Sequence, residues 1–440
     1  MIMRKIQDKN RYYFWLRRYV DFMFKSAYRR VEYRGKENIP QDGTYIYAAN
    51  HTNTLMDALA VLAIDKQAKV FVARADIFKH PILLKILTFL KMLPINRIRD
   101  GRSSLAKNEE IIHTVVDVLH DKIPFCIMPE GTHHAKHSIM LLQKGIFHIA
   151  LQANDRCGKK MPVYIVPVGI EFGHFFRYRS SMLLQVGEPI NVTQFIEEHP
   201  ESNVIQQING LREELSGKLK TLILHIPNDA HYDATLELVQ LSGKEQQQKL
   251  KLKEDTLFNR FTAAKETIKN VENSLKSDPQ ESQELLDRAG EFSRQRHAFG
   301  IGMTSVLKSH IRWSLIGKMF SILLGLPFFI FSAVATSPVT LLSIWLCSKF
   351  KDGAFHNTIR YLVALPLLPV FLLLAGITIG LVFSWIWGLV FALLLFPSFF
   401  FLHDYLRWMR LLLSDIKWLR YKELHIQLEK IKNLKTKLSI

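Results

Sequence analysis

Apolar positions along the chain follow three rhythms. Between residue 36 and about residue 190, short apolar runs alternate with stretches of helical spacing, the pattern of an α/β domain. Thr44–Ala49, Val70–Ala73, Pro124–Met128, Val163–Phe172 and Met182–Val186 read as strands, and Leu55–Ile64, Pro81–Met92 and Leu105–His120 as helices. From about 191 to 312 the pattern becomes polar and helical. Helices are expected over Asn203–Leu224, Glu245–Leu275 and Gln280–His297, with Ser277-Asp278-Pro279 as a break. Beyond that, Met319–Ser348 and Tyr361–Leu402 carry no charged residue. A bilayer span needs about 20 apolar residues, so the second stretch suffices for two crossings and the first for one crossing or a re-entrant hairpin.

Basic residues flank and separate these stretches: Arg312, Lys318, Lys349, Lys351, Arg360, Arg407 and Arg410. Positive residues prefer the cytoplasmic side, which favours a re-entrant hairpin broken near Pro327 or Pro338 followed by a full helical hairpin, with three simple spans ranked second. Residues 11–30 read as an amphipathic helix. Tyr12, Trp15, Leu16, Tyr19, Phe22 and Met23 fall on one side and Arg11, Arg17, Arg18, Asp21 and Lys25 on the other, which suits a bilayer surface or, alternatively, docking on the next domain. The expected organisation is a surface helix in 1–35, an α/β domain over 36–225, a polar helical hairpin region over 226–312, membrane-embedded helices over 313–402 and a basic helical tail on the surface over 403–440. The polar region could also supply the contact of a homo-oligomer.

Charge sharpens this picture. The net charge is +18, and residues 1–36 hold eleven Lys/Arg against three Asp/Glu, residues 403–440 nine against four. Basic segments beside apolar spans are drawn to anionic headgroups by about 1 kcal/mol per residue, so the expected partner is a phospholipid bilayer. Nucleic acid is set aside, because the uncharged spans dominate and no recognition motif occurs. Three well-separated cysteines, Cys126, Cys157 and Cys347, argue against a disulfide framework, and no secretory signal pattern is visible, so the expected location is a membrane with the α/β domain on its cytoplasmic side.

Candidate chemistry begins at Asn50-His51-Thr52-Asn53-Thr54-Leu55-Met56-Asp57. A histidine titrates close to neutrality and a nearby carboxylate can fix its tautomer, which is the arrangement of a general base. Pro124–Met128 then delivers Pro129-Glu130-Gly131-Thr132. Cys126 is expected in the core, and the absence of G-x-S-x-G counts against a serine hydrolase of the α/β type. His133, His134 and His137 share one loop without a second ligand cluster, so no metal site is expected.

Four ordered blocks, Asn50–Asp57, Pro94–Arg102, Phe125–Thr132 and Tyr164–Gly169, resemble the glycerolipid acyltransferase family of 1-acylglycerol-3-phosphate and glycerol-3-phosphate acyltransferases. The resemblance implies the fold of that family, a mixed central sheet flanked by helices, here with a C-terminal transmembrane helical region. It implies transfer of a fatty acyl group from acyl-CoA or acyl-carrier protein, with no cofactor besides that co-substrate, to 1-acylglycerol-3-phosphate, or alternatively to glycerol 3-phosphate or dihydroxyacetone phosphate. A scaffold that kept the fold without activity is the non-enzymatic alternative. By resemblance His51 is the base and Asp57 its support, Arg97 contacts the acceptor phosphate, Glu130, Gly131 and Thr132 shape the head-group pocket, and Asn50 and Pro167 lie near the reacting centre.

Two positions depart from the family pattern. Five residues separate His51 from Asp57 where four are usual, and offsets of five and six place residues about 140° and 240° round an ideal helix, so a bent loop has to align the pair. Some glycerol-3-phosphate and dihydroxyacetone-phosphate acyltransferases resemble this longer form. His133 stands where the family usually has arginine, leaving Arg99, Arg102 and Lys136 as candidates for the missing phosphate contact.

Overall fold

The computed structural model describes residues 5–96, 108–158, 160–438 and 440. The chain divides into two compact units. One holds the chain up to Ile223 together with Cys347–Leu362, and the other holds Leu224–Leu346 and Val363–Ile440.

The first unit opens with α1 (Arg11–Ser26), β1 (Tyr28–Arg34), β2 (Thr44–Ala49), α2 (Leu55–Leu62), β3 (Val70–Arg74), α3 (Pro81–Phe89), β4 (Met92–Ile95), α4 (Asn108–His120) and β5 (Phe125–Ile127). It continues through α5 (Gly145–Cys157), β6 (Val163–Phe172), β7 (Ser180–Val186), β8 (Ile190–Asn191), α6 (Val192–Glu198) and α7 (Val204–Leu222). Among the described residues the strands make one mixed sheet in the order β1-β7-β6-β2-β5-β3-β4, with β8 on β6. The run from β6 to β4 is parallel, while β7 and β8 lie antiparallel to β6. Every residue of β2 is buried, as expected of a parallel strand covered on both faces. Helices α4, α5 and α7 pack Val115, Phe147, Ile149, Leu211 and Leu215 against Ile46, Phe125 and Ile165 of the sheet. The α/β domain is thus what the alternating pattern predicts, and its mixed sheet flanked by helices is the fold that the family resemblance implies.

Several local expectations need correction. The sheet begins before residue 36, because β1 pairs with β7 in parallel and belongs to the first unit. Gly145–Cys157, read as no element, is a helix whose mixed polar and apolar surface conceals the buried stripe Ile146, Ile149, Ala150 and Ala153. On α1 the expected polar side is not all exposed. Arg17 is 4% exposed and donates to the carbonyls of Leu62, Asp65 and Gln67 at 2.5 Å each, while Tyr12, Trp15 and Phe22 face outward. Helix α3 buries none of its residues and exposes Ile82, Leu83, Leu84, Ile86 and Phe89.

The second unit starts with α8 (Tyr232–Lys249), α9 (Leu257–Ser277), α10 (Pro279–Ala298) and α11 (Met303–Val306). The single helix expected over Glu245–Leu275 is two, since Lys251 takes a φ of 55° and Thr256 caps α9 through its hydroxyl. Its core joins Leu238, Leu285, Phe292, Leu424, Leu428 and Ile431. The last three show that the C-terminal segment is not a surface tail: Lys422–Lys437 (which will be α16) turns an apolar face inward and its charges outward. Between them run α12 (Ile311–Ala335), α13 (Ser337–Ser348), α14 (Ala354–Val382) and α15 (Trp385–Arg420), before α16. Helices α12, α14 and α15 are each long and apolar enough to cross a membrane, and α13 is a shorter apolar helix of 12 residues. The break between α12 and α13 falls at Thr336, just before Pro338, one of the two positions expected for it.

Candidate active site

Strands β2 and β5 are parallel neighbours, so the loops that leave their carboxyl ends emerge at one edge of the sheet, where open α/β sheets hold their ligands. The loop after β2 carries His51, and α2 follows with Asp57 in its first turn. The Asp57 Oδ2 lies 2.8 Å from the His51 Nδ1 and also accepts the backbone N–H groups of Thr52 and Asn53 at 2.8 and 2.7 Å. Three donors converging on one oxygen hold the carboxylate at a helix N-terminus, where negative charge is favoured. The bend that the six-residue offset requires is made at Thr54, whose φ of 46° lies in the left-handed region that a β-branched residue rarely enters. Asp57 is fully buried, whereas the His51 side chain keeps 20% of its surface open. The dyad therefore offers the other edge of the ring to a ligand.

The loop after β5 is bound to the backbone of that histidine. Glu130 Oε1 accepts the His51 N–H at 2.8 Å, and the His51 carbonyl accepts the N–H of His134 at 3.1 Å. Burial pushes the Glu130 carboxyl up to about 7, against the pull of the Met140 and His51 amides. Gly131 has a φ of 69°, a conformation suited to glycine, and Thr132 beside it is exposed.

Residues 30–171 match the family model described as Acyltransferase. The chain carries an acyltransferase-family domain. Over 137 residues it is 29% identical to Glycerol-3-phosphate O-acyltransferase 2 of Saccharomyces cerevisiae, and over 125 residues 27% identical to 1-acyl-sn-glycerol-3-phosphate acyltransferase of Limnanthes alba. Those stretches are 31% and 28% of this chain, and they span only 18% and 42% of the two relatives' own lengths. Among solved structures it is similar to the 1-acyl-sn-glycerophosphate acyltransferase PlsC of Thermotoga maritima, at a TM-score of 0.35 and 21% identity over 48% of this chain and 77% of that one.

The acyltransferase domain brings together His51, Asp57, Glu130 and Gly131. Asn50, expected at the substrate, is instead a strut: at 2% exposure its Oδ1 accepts the Ile170 N–H at 2.7 Å and its Nδ2 donates to the Ile170 carbonyl at 3.1 Å. Pro167 is buried within β6, opposite Ala48 of β2, so it sets the strand beneath the loop. Arg97, Arg99 and Arg102 lie outside the described residues. The three loop histidines go to separate partners, His133 to Asp352, His134 to Ser138 and His137 to Glu171, rather than converging on one point. Cys126 is fully buried and burial pushes its thiol up, which excludes it as a nucleophile.

Sequence reasoning missed two groups in the first unit. Asn53 donates through its side chain to the Phe175 carbonyl at 2.7 Å, fixing the dyad loop to the turn after β6. Asp352, 219 residues from His133, meets that ring at 2.8 Å. No local pattern marks either one, because both act through contacts distant in sequence.

Proposed function

We propose that the protein is a membrane-bound O-acyltransferase that moves a fatty acyl group from an acyl thioester, acyl-CoA or acyl-carrier protein, to the hydroxyl of a glycerol-phosphate acceptor, with 1-acylglycerol-3-phosphate as the acceptor and phosphatidic acid as the product. The observation that carries the reading is the His51–Asp57 dyad, held by three donors on one carboxylate oxygen with its ring partly open. His51 takes the hydroxyl proton as the oxygen attacks the thioester carbonyl. The new C–O bond forms, the C–S bond breaks, and the proton passes from the imidazolium to the departing thiolate. Asp57 holds the ring and offsets the charge that develops on it. Glu130 and Gly131 shape the head-group side of the pocket, with Arg97 supplying the phosphate contact.

Glycerol 3-phosphate is the second acceptor reading. It is supported by the longer His-to-Asp spacing and by the 29% identity to the Saccharomyces cerevisiae glycerol-3-phosphate enzyme. The apolar helices α12, α14 and α15, the exposed face of α3 and the outward aromatics of α1 support attachment to the bilayer, with the basic segments on its cytoplasmic side.

The test uses the full chain purified in detergent and supplied with oleoyl-CoA or an acyl-carrier protein thioester. Each acceptor is offered in turn, and His51→Ala is the control. Transfer by the wild type and its loss in the variant support the enzyme, and the preferred acceptor names its step. A wild type inert toward both acceptors with both donors overturns the assignment.

A further inference from the structure

The segment Cys347–Leu362, made of the end of α13, the short connector and the first turns of α14, belongs to the unit that contains His51. It begins 176 residues beyond the end of the stretch 30–171 that matches the family model. Its anchors are specific. The Thr358 hydroxyl lies 2.6 Å from that of Thr54, the residue whose positive φ bends the dyad loop. Asn357 donates at 2.8 Å to the same Phe175 carbonyl that Asn53 uses, and the Tyr361 hydroxyl donates at 2.9 Å to the Val20 carbonyl of α1.

At the front of this strap, Asp352 uses its two oxygens for two tasks. Oδ1 accepts the N–H of Ala354 at 2.9 Å, fixing the carboxylate on its own backbone, and Oδ2 meets the His133 Nε2 at 2.8 Å. Phe355 stands edge-on to the His133 ring at 5.3 Å between centroids, closing a second side of it. The ring so held lies 5.7 Å from that of His51, and both side chains keep about a fifth of their surface open, 21% and 20%. One small ligand can therefore touch both imidazoles.

We propose that the strap is a working part of the acceptor site, in which Asp352 is a positioning residue that aims His133 at the polar glycerol-phosphate head. This rests on the acyltransferase reading above. With the Nε2–H donated to the carboxylate, Nδ1 remains to accept a glycerol hydroxyl of the head. Aiming a planar ring requires a fixed partner on one nitrogen, because an unheld imidazole rotates about two side-chain bonds and loses entropy on binding.

The test is steady-state kinetics of the full chain in detergent at saturating acyl donor, comparing wild type, His133→Gln, Asp352→Asn and the double variant. Asparagine keeps an oxygen for the Ala354 N–H but turns an N–H toward His133, so Asp352→Asn leaves the strap in place while forcing the ring into the tautomer whose Nδ1 donates instead of accepting. Each single variant is expected to raise the acceptor KM about tenfold, the size of one hydrogen bond, with the donor KM within about twofold of wild type. The double variant is expected to be no worse than His133→Gln, because Asp352 acts only through the ring. An acceptor KM unmoved in both single variants, or effects that multiply in the double, overturns the proposal. Should Asp352→Asn fail to fold, His133→Gln with the strap intact still reads the acceptor KM and decides it. A wild type that transfers to no acceptor overturns the acyltransferase reading itself, a result distinct from transfer that is indifferent to the strap.

Discussion

Glu130 reaches across 79 residues to accept the backbone N–H of His51 at 2.8 Å, while its second oxygen accepts the N–H of Met140 at 3.0 Å. One buried carboxylate thus ties the loop of the base to the loop after β5. Its burial raises its pKa from 4.5 to about 7, so between those values the folded chain holds a proton that the unfolded chain has released. Stability from this group is therefore greatest at acid pH and falls as pH rises through that window, by roughly 3 kcal/mol at most. Thermal unfolding at about pH 5 and about pH 8 checks it. Glu130→Gln, which does not titrate, should lose stability less steeply over that interval than the wild type, and an unchanged slope would place the titration elsewhere.

The convergence of three donors on Asp57 Oδ2 separates charge from geometry. An amide oxygen can take the same three hydrogen bonds, so Asp57→Asn should keep the loop and the ring in place while removing the charge that offsets the imidazolium. The kcat should fall about 10²–10⁴-fold, with stability lowered by no more than about 1–3 kcal/mol, the cost of the amide NH2 at the buried, unpartnered Oδ1 position. A larger loss of stability would make the carboxylate a structural clamp first.

Arg17 closes the far end of the helix that carries Asp57. Its guanidinium satisfies carbonyls of Leu62, Asp65 and Gln67, where the last turn of α2 and its exit would otherwise be buried without donors. Arg17→Ala should cost about 3 kcal/mol, read as a fall in the unfolding midpoint. Arg17→Lys should recover only part of it, since an ammonium cannot fork to all three oxygens. Equal stability of the alanine variant and the wild type would show that water replaces the guanidinium at no cost.

The sheet was legible because its strands are short apolar runs between breaks. Thr44–Ala49 and Val163–Phe172 begin and end where the pattern places them. His51, Asp57 and Glu130 were legible as motif positions, since each sits within a few residues of a strand or a helix start that can be recognised locally. Arg17 was misplaced for a physical reason: periodicity reads a guanidinium as solvent-facing, whereas here its partners are helix-end carbonyls almost fifty residues away. Asn50 was misread because a buried amide that braces Ile170 and one that holds a ligand look alike in sequence. Asp352 could not have been found locally at all. The C-terminal segment deceived through composition, because a high lysine content hides the narrow stripe Leu424, Leu428 and Ile431 that it buries.

Two glycines test how tightly the layer beneath the base is packed. Gly169 lies in β6 between Val168, whose carbonyl accepts the Asn50 N–H, and Ile170, which the Asn50 side chain brackets. A Cβ at 169 would stand 2.3 Å from the Leu222 carbonyl oxygen at the end of α7, a backbone atom with little room to withdraw. Gly169→Ala should therefore push β6 away from α7, destabilise the fold by about 3 kcal/mol or more, and lower activity beyond the loss of folded protein, because Asn50 directly precedes His51. Gly217, inside α7 itself, has nothing within 4 Å of its would-be Cβ. There alanine should be neutral or stabilising by up to about 1 kcal/mol, since helix propensity alone is changed. Thermal unfolding of the two variants side by side checks the contrast. If both behave alike, the strand beneath His51 can move freely, and the rigidity assigned to its loop has another source.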